Sequence, residues 1–473
     1  MAVLDWDSHR FLESFFAVPM LGAVLHTVNV RLSADQLVYT INHAEDDVIL
    51  VNADFVPALE GIWSKIDPGK RLVLLTDERD RPQTTLSLEG EYEELLALAS
   101  PDHDFPDFDE RARATLFYTT GTTGLPKGVS FSHRQLVLHT LALAAVIAAP
   151  RAGQRLHRDT VYMPLTPMFH VHAWGFPYVA TLLGLKQVYP GRYAPDALAS
   201  LIESEDVTFS HCVPTILHML LSSEAAQSVD LSSWTVVVGG SHLPKGLAQA
   251  ALARGIDVFT GYGMSETCPV LTLAQVKTHL RGDDELDVRV ATGLPIPLVD
   301  VRVVDEKMRD LDRDGVSAGE VVVRAPWTTL AYVKDPQGSE ELWRAGYLHT
   351  GDVGTIDGEG YLRVTDRLKD VIKTGGEWVS SLALESLISQ HEAVGEVAVI
   401  GVADERWGER PLAVVVPKPG TSLAPDAIRA HVSTHAERGA RYAVPERVEI
   451  VDELPKTSVG KLDKKALRAR YSS

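Results

Sequence analysis

Apolar positions along this chain switch between helical and strand spacing, and the switching lays out its elements. From Ser8 to about Pro57, stretches of helical period alternate with short apolar strands such as Val48 to Val51. Arg71 to Leu75 repeats the strand signal, in the manner of an α/β sheet. Residues 8 to 25 predict an amphipathic helix already under way, an abrupt opening with no clear strand ahead of it. Between about residues 195 and 263 the alternation becomes regular. A helix carrying Leu198, Leu201 and Ile202 precedes a strand at Val207 to Cys212; after further helices come Trp234 to Val238 and Val258-Phe259, the pattern of βαβ winding. From Val288 to about Val364 the period shifts to two. Val299, Val301 and Val303 stand against Asp300 and Arg302, Glu320-Val-Val-Val follows, and a hairpin from Ile356 to Leu362 turns at Asp357-Gly-Glu-Gly. Beyond Asp366 come strands at Val397 to Val402, Leu412 to Val416 and Val448 to Val451, with helices at Leu382 to Ser389 and Asp426 to His435. The expected architecture is α/β: a large N-terminal domain, residues 1–367, of βαβ-wound sheets plus a β-rich subdomain, then a small α+β domain over 368–473. No fixed-period repeat or low-complexity tract interrupts it.

Composition narrows the class. A chain of 473 residues has room for two to four domains and a core that stands without staples. Lys plus Arg is 45 and Asp plus Glu is 64, a net charge of −19 that repels phosphate backbones and anionic lipid, so nucleic acid is not an expected partner. Hydrophobic residues at 45% with 23% charged mark a folded protein rather than a disordered one. The two cysteines, Cys212 and Cys268, show neither disulfide nor zinc spacing, which points to a reducing, cytoplasmic compartment. No signal-peptide pattern opens the chain, and the longest apolar run, Leu141 to Ala149, is too short for a transmembrane segment.

The strongest chemical signal is Phe117-Tyr-Thr-Thr-Gly-Thr-Thr-Gly-Leu-Pro-Lys-Gly-Val. Glycines let backbone amides approach an anion, the hydroxyls of Thr119, Thr120, Thr122 and Thr123 add donors around Gly121, and Lys127 supplies a compact positive charge. It is not a Walker A loop, because Pro126 precedes the lysine and Gly128 follows it. Read by composition alone, it also suits an ordinary surface turn.

This loop resembles the phosphate-binding signature of the adenylate-forming superfamily of acyl-CoA synthetases, luciferases and peptide-synthetase adenylation domains. Further signatures of that superfamily follow in order: Met163-Pro-Leu-Thr-Pro-Met-Phe-His-Val-His-Ala-Trp, Val238-Gly-Gly-Ser, Gly261-Tyr-Gly-Met-Ser-Glu-Thr, His349-Thr-Gly-Asp, Asp366-Arg-Leu-Lys-Asp, Gly375-Gly-Glu-Trp and Pro455-Lys-Thr-Ser-Val-Gly-Lys. The resemblance runs from about residue 8 to the C-terminus. Pro167-Met-Phe-His-Val and Lys373-Thr-Gly-Gly-Glu-Trp-Val-Ser-Ser look most like medium- and long-chain fatty acyl-CoA synthetases. It implies a two-step reaction in which a carboxylic acid and ATP give acyl-adenylate and pyrophosphate, and CoA then displaces AMP.

Residue roles follow from the same resemblance. Tyr262, between Gly261 and Gly263, is expected to stack on adenine, with Gly240 and Ser265 also at the nucleotide; a packed core tyrosine is the alternative. Glu266 and the hydroxyl of Thr119 suit Mg²⁺, which takes few carboxylates and keeps many waters, although Glu266 would equally serve as a helix cap. Asp352 can accept from both ribose hydroxyls, and the planar fork of Arg367 can reach the ribose or the α-phosphate. His170 falls beside the acyl carboxylate and the α-phosphate, or is a satisfied core histidine. Trp174, Val213 and Gly239 fall at the acyl pocket, with Trp174 in the place of a gate or of plain core packing. Lys461 is the lysine that the family uses for adenylation, its bland alternative being a basic tail. Gly375, Gly376 and Trp378 accompany the CoA channel, and Lys369 sits where the family has the hinge of a mobile C-terminal domain.

Three departures are plain. Relatives of this type carry a substantial segment upstream of the part that resembles residues 8 to 60, so the N-terminus reads as shortened, which bears on any homodimer contact built there. His172 stands where asparagine is usual, and Ser241-His-Leu-Pro replaces smaller residues; both are expected to line the acyl pocket. Two other functions fit the sequence, a CoA ligase for an aryl, short-chain or sulfur-containing acid, and an inactive truncated nucleotide-binding relative. Intact Lys127, Glu266, Asp352, Arg367 and Lys461 argue against the second.

Overall fold

The computed structural model describes the chain except residues 79–80, 120–124, 149–155, 283, 369, 375–376, 405, 436–443, 458–460 and 472–473. It forms two compact units, one of residues 1–210, 263–270 and 325–342, the other of 211–262, 271–324 and 343–473.

The first unit is built on a seven-stranded sheet of β1 (Ala2–Leu4), β2 (Leu25–Thr27), β3 (Val48–Asn52), β4 (Arg71–Leu75), β5 (Leu88–Glu91), β6 (Arg113–Thr119) and β7 (Lys127–Ser132), ordered β5-β4-β3-β1-β2-β6-β7. A strand therefore does precede the first helix. Strand β1 is almost wholly buried and pairs in parallel with both neighbours, Ala2 opposite His26 on one side and Ile49 on the other. At three residues it is too short for a periodicity signal. The helix runs over His9–Met20, capped by Ser8 accepting from the Phe11 amide, and buries Phe11, Phe15 and Val18. It ends short of the expected residue 25 because Gly22 takes a left-handed φ of 76° and Leu25–Thr27 joins the sheet. Strands β3 and β4 read as near-continuous apolar runs because a parallel sheet is covered on both faces.

Just after β1, the buried Asp7 ties this end of the unit to the His170 segment. Its carboxylate accepts from the Met168 amide at 2.8 Å and from the Tyr193 hydroxyl. Burial pushes its pKa up to about 7 from an ordinary 3.8. A folded-state pKa raised above the unfolded one gives stability that is complete below the unfolded value and lost as the pH rises through 7. Asp7→Asn removes the charge, keeps an acceptor for the Met168 amide and reverses the Tyr193 contact, the new amide nitrogen donating to the phenol oxygen. Its melting temperature is expected to gain on the wild type, by several degrees, between pH 5 and pH 8; a gap that narrows over that range would contradict the reading.

In the second unit, strands Thr235–Val238 and Asp257–Gly263 pair in parallel, Val236 opposite Val258. The β-rich region forms a five-stranded sheet in which Tyr347–Ile356 pairs with Leu362–Arg367 across the expected hairpin. The Asp357 carboxylate accepts from the amides of Glu359 and Tyr361 and closes that turn. Register places Asp352 directly opposite Arg367. The C-terminal segment has its own sheet, with Val394–Asp404 along Gly408–Pro417, and Arg447–Ile450 parallel to the latter. Helices Ser381–Ser389, Pro425–His435 and Lys464–Tyr471 accompany it. Helix Ser381–Ser389 packs on helix Lys245–Ala253 at Gly246, where a Cβ would lie 2.4 Å from the Ser389 carbonyl oxygen. Among the described residues no helix is long and apolar enough to cross a membrane.

Candidate active site

In the first unit, strands β6 and β7 hold Thr119 and Lys127 in register across the Thr/Gly loop. Lys127 Nζ lies 3.5 Å from Asp335 Oδ2 and 4.5 Å from the centre of the Tyr332 ring. Tyr332 is fixed by a β-bridge to Val129 and by its amide donating to Ser339 Oγ at 2.9 Å. Its hydroxyl donates to Glu266 Oε1 at 2.6 Å, and burial together with the Glu266 charge holds the phenol well above its usual range. Glu266 is buried on a short turn, Ser265–Thr267, with its carbonyl accepting from the Thr329 amide at 2.8 Å. Gly263 gives this turn room. A Cβ there would sit 1.7 Å from the Pro269 carbonyl oxygen.

Asp335 is therefore an anionic partner of Lys127, the lysine expected from sequence to face the phosphates. Each side chain of the pair is 36% exposed, so the contact contributes at most about 1 kcal/mol. Asp335→Asn is expected to tighten ATP binding by up to roughly fivefold in calorimetric titration. Weaker binding would show that Asp335 supports the site rather than competing for it.

His170 is half-buried at the start of an unusual turn. Val171, His172, Ala173 and Trp174 all take left-handed φ, from 46° to 59°, and Gly175 continues at 76°. Such conformations cost L-residues roughly 1–2 kcal/mol each, so packing must hold the turn. Trp174 is buried in it. His172 is enclosed by the rings of Phe15, Phe117, Phe131 and Tyr178. Among the described residues neither of its ring nitrogens has a hydrogen-bond partner, and burial pushes its pKa down to about 3.

The second unit assembles four of the residues singled out from sequence. Tyr262 donates through its hydroxyl to Asp352 Oδ2 at 2.7 Å, and Arg367 Nε lies 3.3 Å from Asp352 Oδ1. Burial raises the Asp352 pKa, against the pull of Arg367, of the Tyr262 hydrogen bond and of the Lys461 charge. Lys461 is thus close enough to act on the same carboxylate. A Cβ on Gly261 would sit 3.0 Å from Leu273 and 3.1 Å from Val237, so this glycine serves close packing. Val213 is buried at the head of helix Pro214–Ser222, and the Gly239 amide donates to the Cys212 carbonyl at 3.0 Å. Gly240 follows with φ of 77°.

Thr120, Gly121, Thr122, Thr123, Lys369, Gly375 and Gly376 lie outside the described residues, as does the side chain of Trp378. Sequence reasoning missed Tyr332 and Asp335. The Asp-Pro step after Lys334 signals only a turn, and no spacing rule links Tyr332 to a carboxylate 66 residues earlier.

Comparison with known proteins decides the family. Residues 1–333 match the AMP-binding enzyme family and residues 383–461 match the AMP-binding enzyme C-terminal domain. The chain belongs to the AMP-binding enzyme family. A long-chain-fatty-acid–CoA ligase of Thermus thermophilus is 41% identical over all of this chain and 85% of its own length. A 3-methylmercaptopropionyl-CoA ligase of Ruegeria pomeroyi is 37% identical over all of this chain and 87% of its own. The crystal structure of ATP-bound MatB from Rhodopseudomonas palustris superposes with a TM-score of 0.82 at 26% identity, covering all of this chain and 88% of that one. This AMP-binding enzyme is an AMP-forming acyl-CoA synthetase, and its co-substrates are ATP and CoA. The residues expected from sequence to face Mg²⁺ offer hard oxygens, the buried Glu266 carboxylate and the Thr119 hydroxyl. Among the described residues no cluster of three or more His, Cys, Asp or Glu forms a dedicated metal cage. One carboxylate with phosphate and water oxygens is the coordination Mg²⁺ prefers, so the residues fit.

Proposed function

We propose that this synthetase activates a medium- or long-chain fatty acid and transfers the acyl group to CoA. The observation that carries the choice of acid is the 41% identity, over the whole chain, to a long-chain-fatty-acid–CoA ligase, together with the apolar burial of Trp174 and Val213. The 37% identity to a 3-methylmercaptopropionyl-CoA ligase favours a short sulfur-containing acid as the second reading.

In the first step a carboxylate oxygen of the acid attacks the α-phosphorus of ATP, and the bond to the bridging oxygen breaks as pyrophosphate leaves. Tyr262 packs on the adenine, beside Gly240, Gly261, Gly263 and Ser265, while Asp352 accepts from the ribose hydroxyls. Arg367 donates to the ribose or the α-phosphate. Lys127, with Thr120, Gly121, Thr122 and Thr123, binds the outgoing phosphates. Thr119 and Glu266 hold Mg²⁺, which when bound neutralises charge on the phosphate oxygens. Lys461 places a cation where negative charge builds during the displacement, stabilising the transition state more than the ground state. His170 orients the acyl carboxylate, and Trp174, Val213 and Gly239 line the acyl chain.

In the second step the CoA sulfur attacks the acyl carbon, the bond to AMP breaks, and the thiol proton passes to water. Residues 368–473 act as a small domain that turns at Lys369, withdrawing Lys461 and bringing Gly375, Gly376 and Trp378 to the CoA channel. The buried, free Cys212 and Cys268 fit a reducing compartment such as the cytoplasm.

The test is kcat/KM for thioester formation across butyrate, 3-methylmercaptopropionate, benzoate, decanoate and palmitate. Decanoate or palmitate is expected to lead by at least tenfold. A lead for 3-methylmercaptopropionate would replace the fatty-acid reading with the sulfur-acid one.

A further inference from the structure

We infer that Tyr332 is a positioning residue that sets both the Glu266 carboxylate and the Lys127 ammonium for the nucleotide phosphates, an inference that rests on the roles proposed for those two groups. One phenol serves opposite charges through different parts of itself. Its hydroxyl donates to Glu266 Oε1 at 2.6 Å, fixing the direction of the carboxylate, while Lys127 Nζ lies 4.5 Å from the ring centre, where a cation is attracted to the π-face. The ring cannot drift, because its backbone is clamped on both sides. On one side Tyr332 bridges Val129 and the Val333 amide donates to the Gly128 carbonyl at 2.9 Å, so the clamp is the strand that begins at Lys127 itself. On the other, the Tyr332 amide donates to Ser339 Oγ, and that hydroxyl donates to the Asp335 carbonyl at 2.6 Å. The turn bearing Glu266 is joined to the same segment through the Thr329 amide. Phosphate-binding strand, carboxylate turn and the Tyr332 segment therefore meet at one side chain. Partners that orient a metal-binding carboxylate typically change metal affinity by roughly ten- to a hundredfold when removed.

The hydroxyl and the ring face can be separated. Tyr332→Phe removes the donor to Glu266 and leaves the face over Lys127, whereas Tyr332→Leu removes both. Binding of ATP to the full-length chain is measured calorimetrically with Mg²⁺ present and again in EDTA, alongside Glu266→Gln and the double variant, and thermal melts are run on each. Tyr332→Phe is expected to weaken Mg·ATP binding by roughly tenfold and metal-free ATP by less than about twofold. It should weaken Glu266→Gln no further, and Tyr332→Leu should add a loss for metal-free ATP. Equal losses with and without Mg²⁺, or losses that add in the double variant, would overturn the inference. Glu266→Gln that binds Mg·ATP like the wild type would instead overturn the metal role of Glu266, and the inference with it. Water-proton relaxation with Mn·ATP gives a second readout, independent of turnover, and should show the same ordering of variants.

Discussion

Lys461→Ala is expected to slow acyl-adenylate formation by at least about a hundredfold while leaving thioester formation from supplied acyl-adenylate largely intact. A hundredfold is about 2.7 kcal/mol of transition-state stabilisation, a reasonable loss for one positioned cation. The asymmetry follows from where charge develops. Only the first step breaks the bond from the α-phosphorus to the bridging oxygen and builds charge on that oxygen through a five-coordinate phosphorus; in the second step the phosphorus keeps its four bonds and AMP departs from a carbonyl carbon. The Lys461 charge pulls the pKa of Asp352, the expected ribose carboxylate, downward, so the two groups are within electrostatic reach of each other. Single-turnover measurements of the two half-reactions decide the matter. Equal losses in both would reject the assignment.

Gly246→Val should reproduce that defect without touching a reacting group. Helix Ser381–Ser389 can approach helix Lys245–Ala253 only because position 246 has no side chain, the Ser389 carbonyl oxygen lying 2.4 Å from where a Cβ would be. Neighbouring contacts belong to the same surface: Lys464 Nζ reaches Glu385 and Ser381 Oγ, each at 2.7 Å, and the Ser381 amide donates to Asp366 Oδ2 at 2.7 Å. If this packing carries Lys461 into place, a branched side chain at 246 must hold the C-terminal segment away. Adenylation then falls by as much as in Lys461→Ala and no more, because the lysine is all that closure delivers. The two substitutions combined should be no worse than either alone. Thioester formation from supplied adenylate should persist, with the melting temperature of the large domain unchanged. Loss of both half-reactions with a lowered melting temperature would mean that Gly246 serves only packing.

These expectations rest on features that were unequally legible in the sequence. Asp352 and Arg367 came from short motifs, and the alternation around them predicted the hairpin whose register sets them face to face. Strands that bury one or two full turns of pattern, such as Arg71–Leu75, were legible to the residue. Ala2–Leu4 was not, since three residues carry no period and its placement depends on partners at His26 and Ile49. The left-handed turn at 171–174 could not be foreseen, because Val, His, Ala and Trp all disfavour that conformation and only surrounding packing imposes it. Gly246 and Tyr332 escaped for a related reason. Their roles are contacts with Ser389 and Glu266, distant in sequence, and a glycine or tyrosine looks the same whether or not such a neighbour arrives.

The central claim is that a fatty acid is activated by bonding its own carboxylate oxygen to the α-phosphorus of ATP. Dodecanoate labelled with ¹⁸O in both carboxylate oxygens, incubated with the enzyme, ATP, Mg²⁺ and CoA, tests this atom by atom. Mass spectrometry should find one labelled oxygen in AMP, one in the thioester and none in pyrophosphate, with AMP and thioester formed in equal amounts. ADP accompanied by labelled orthophosphate, or AMP without label, would contradict it.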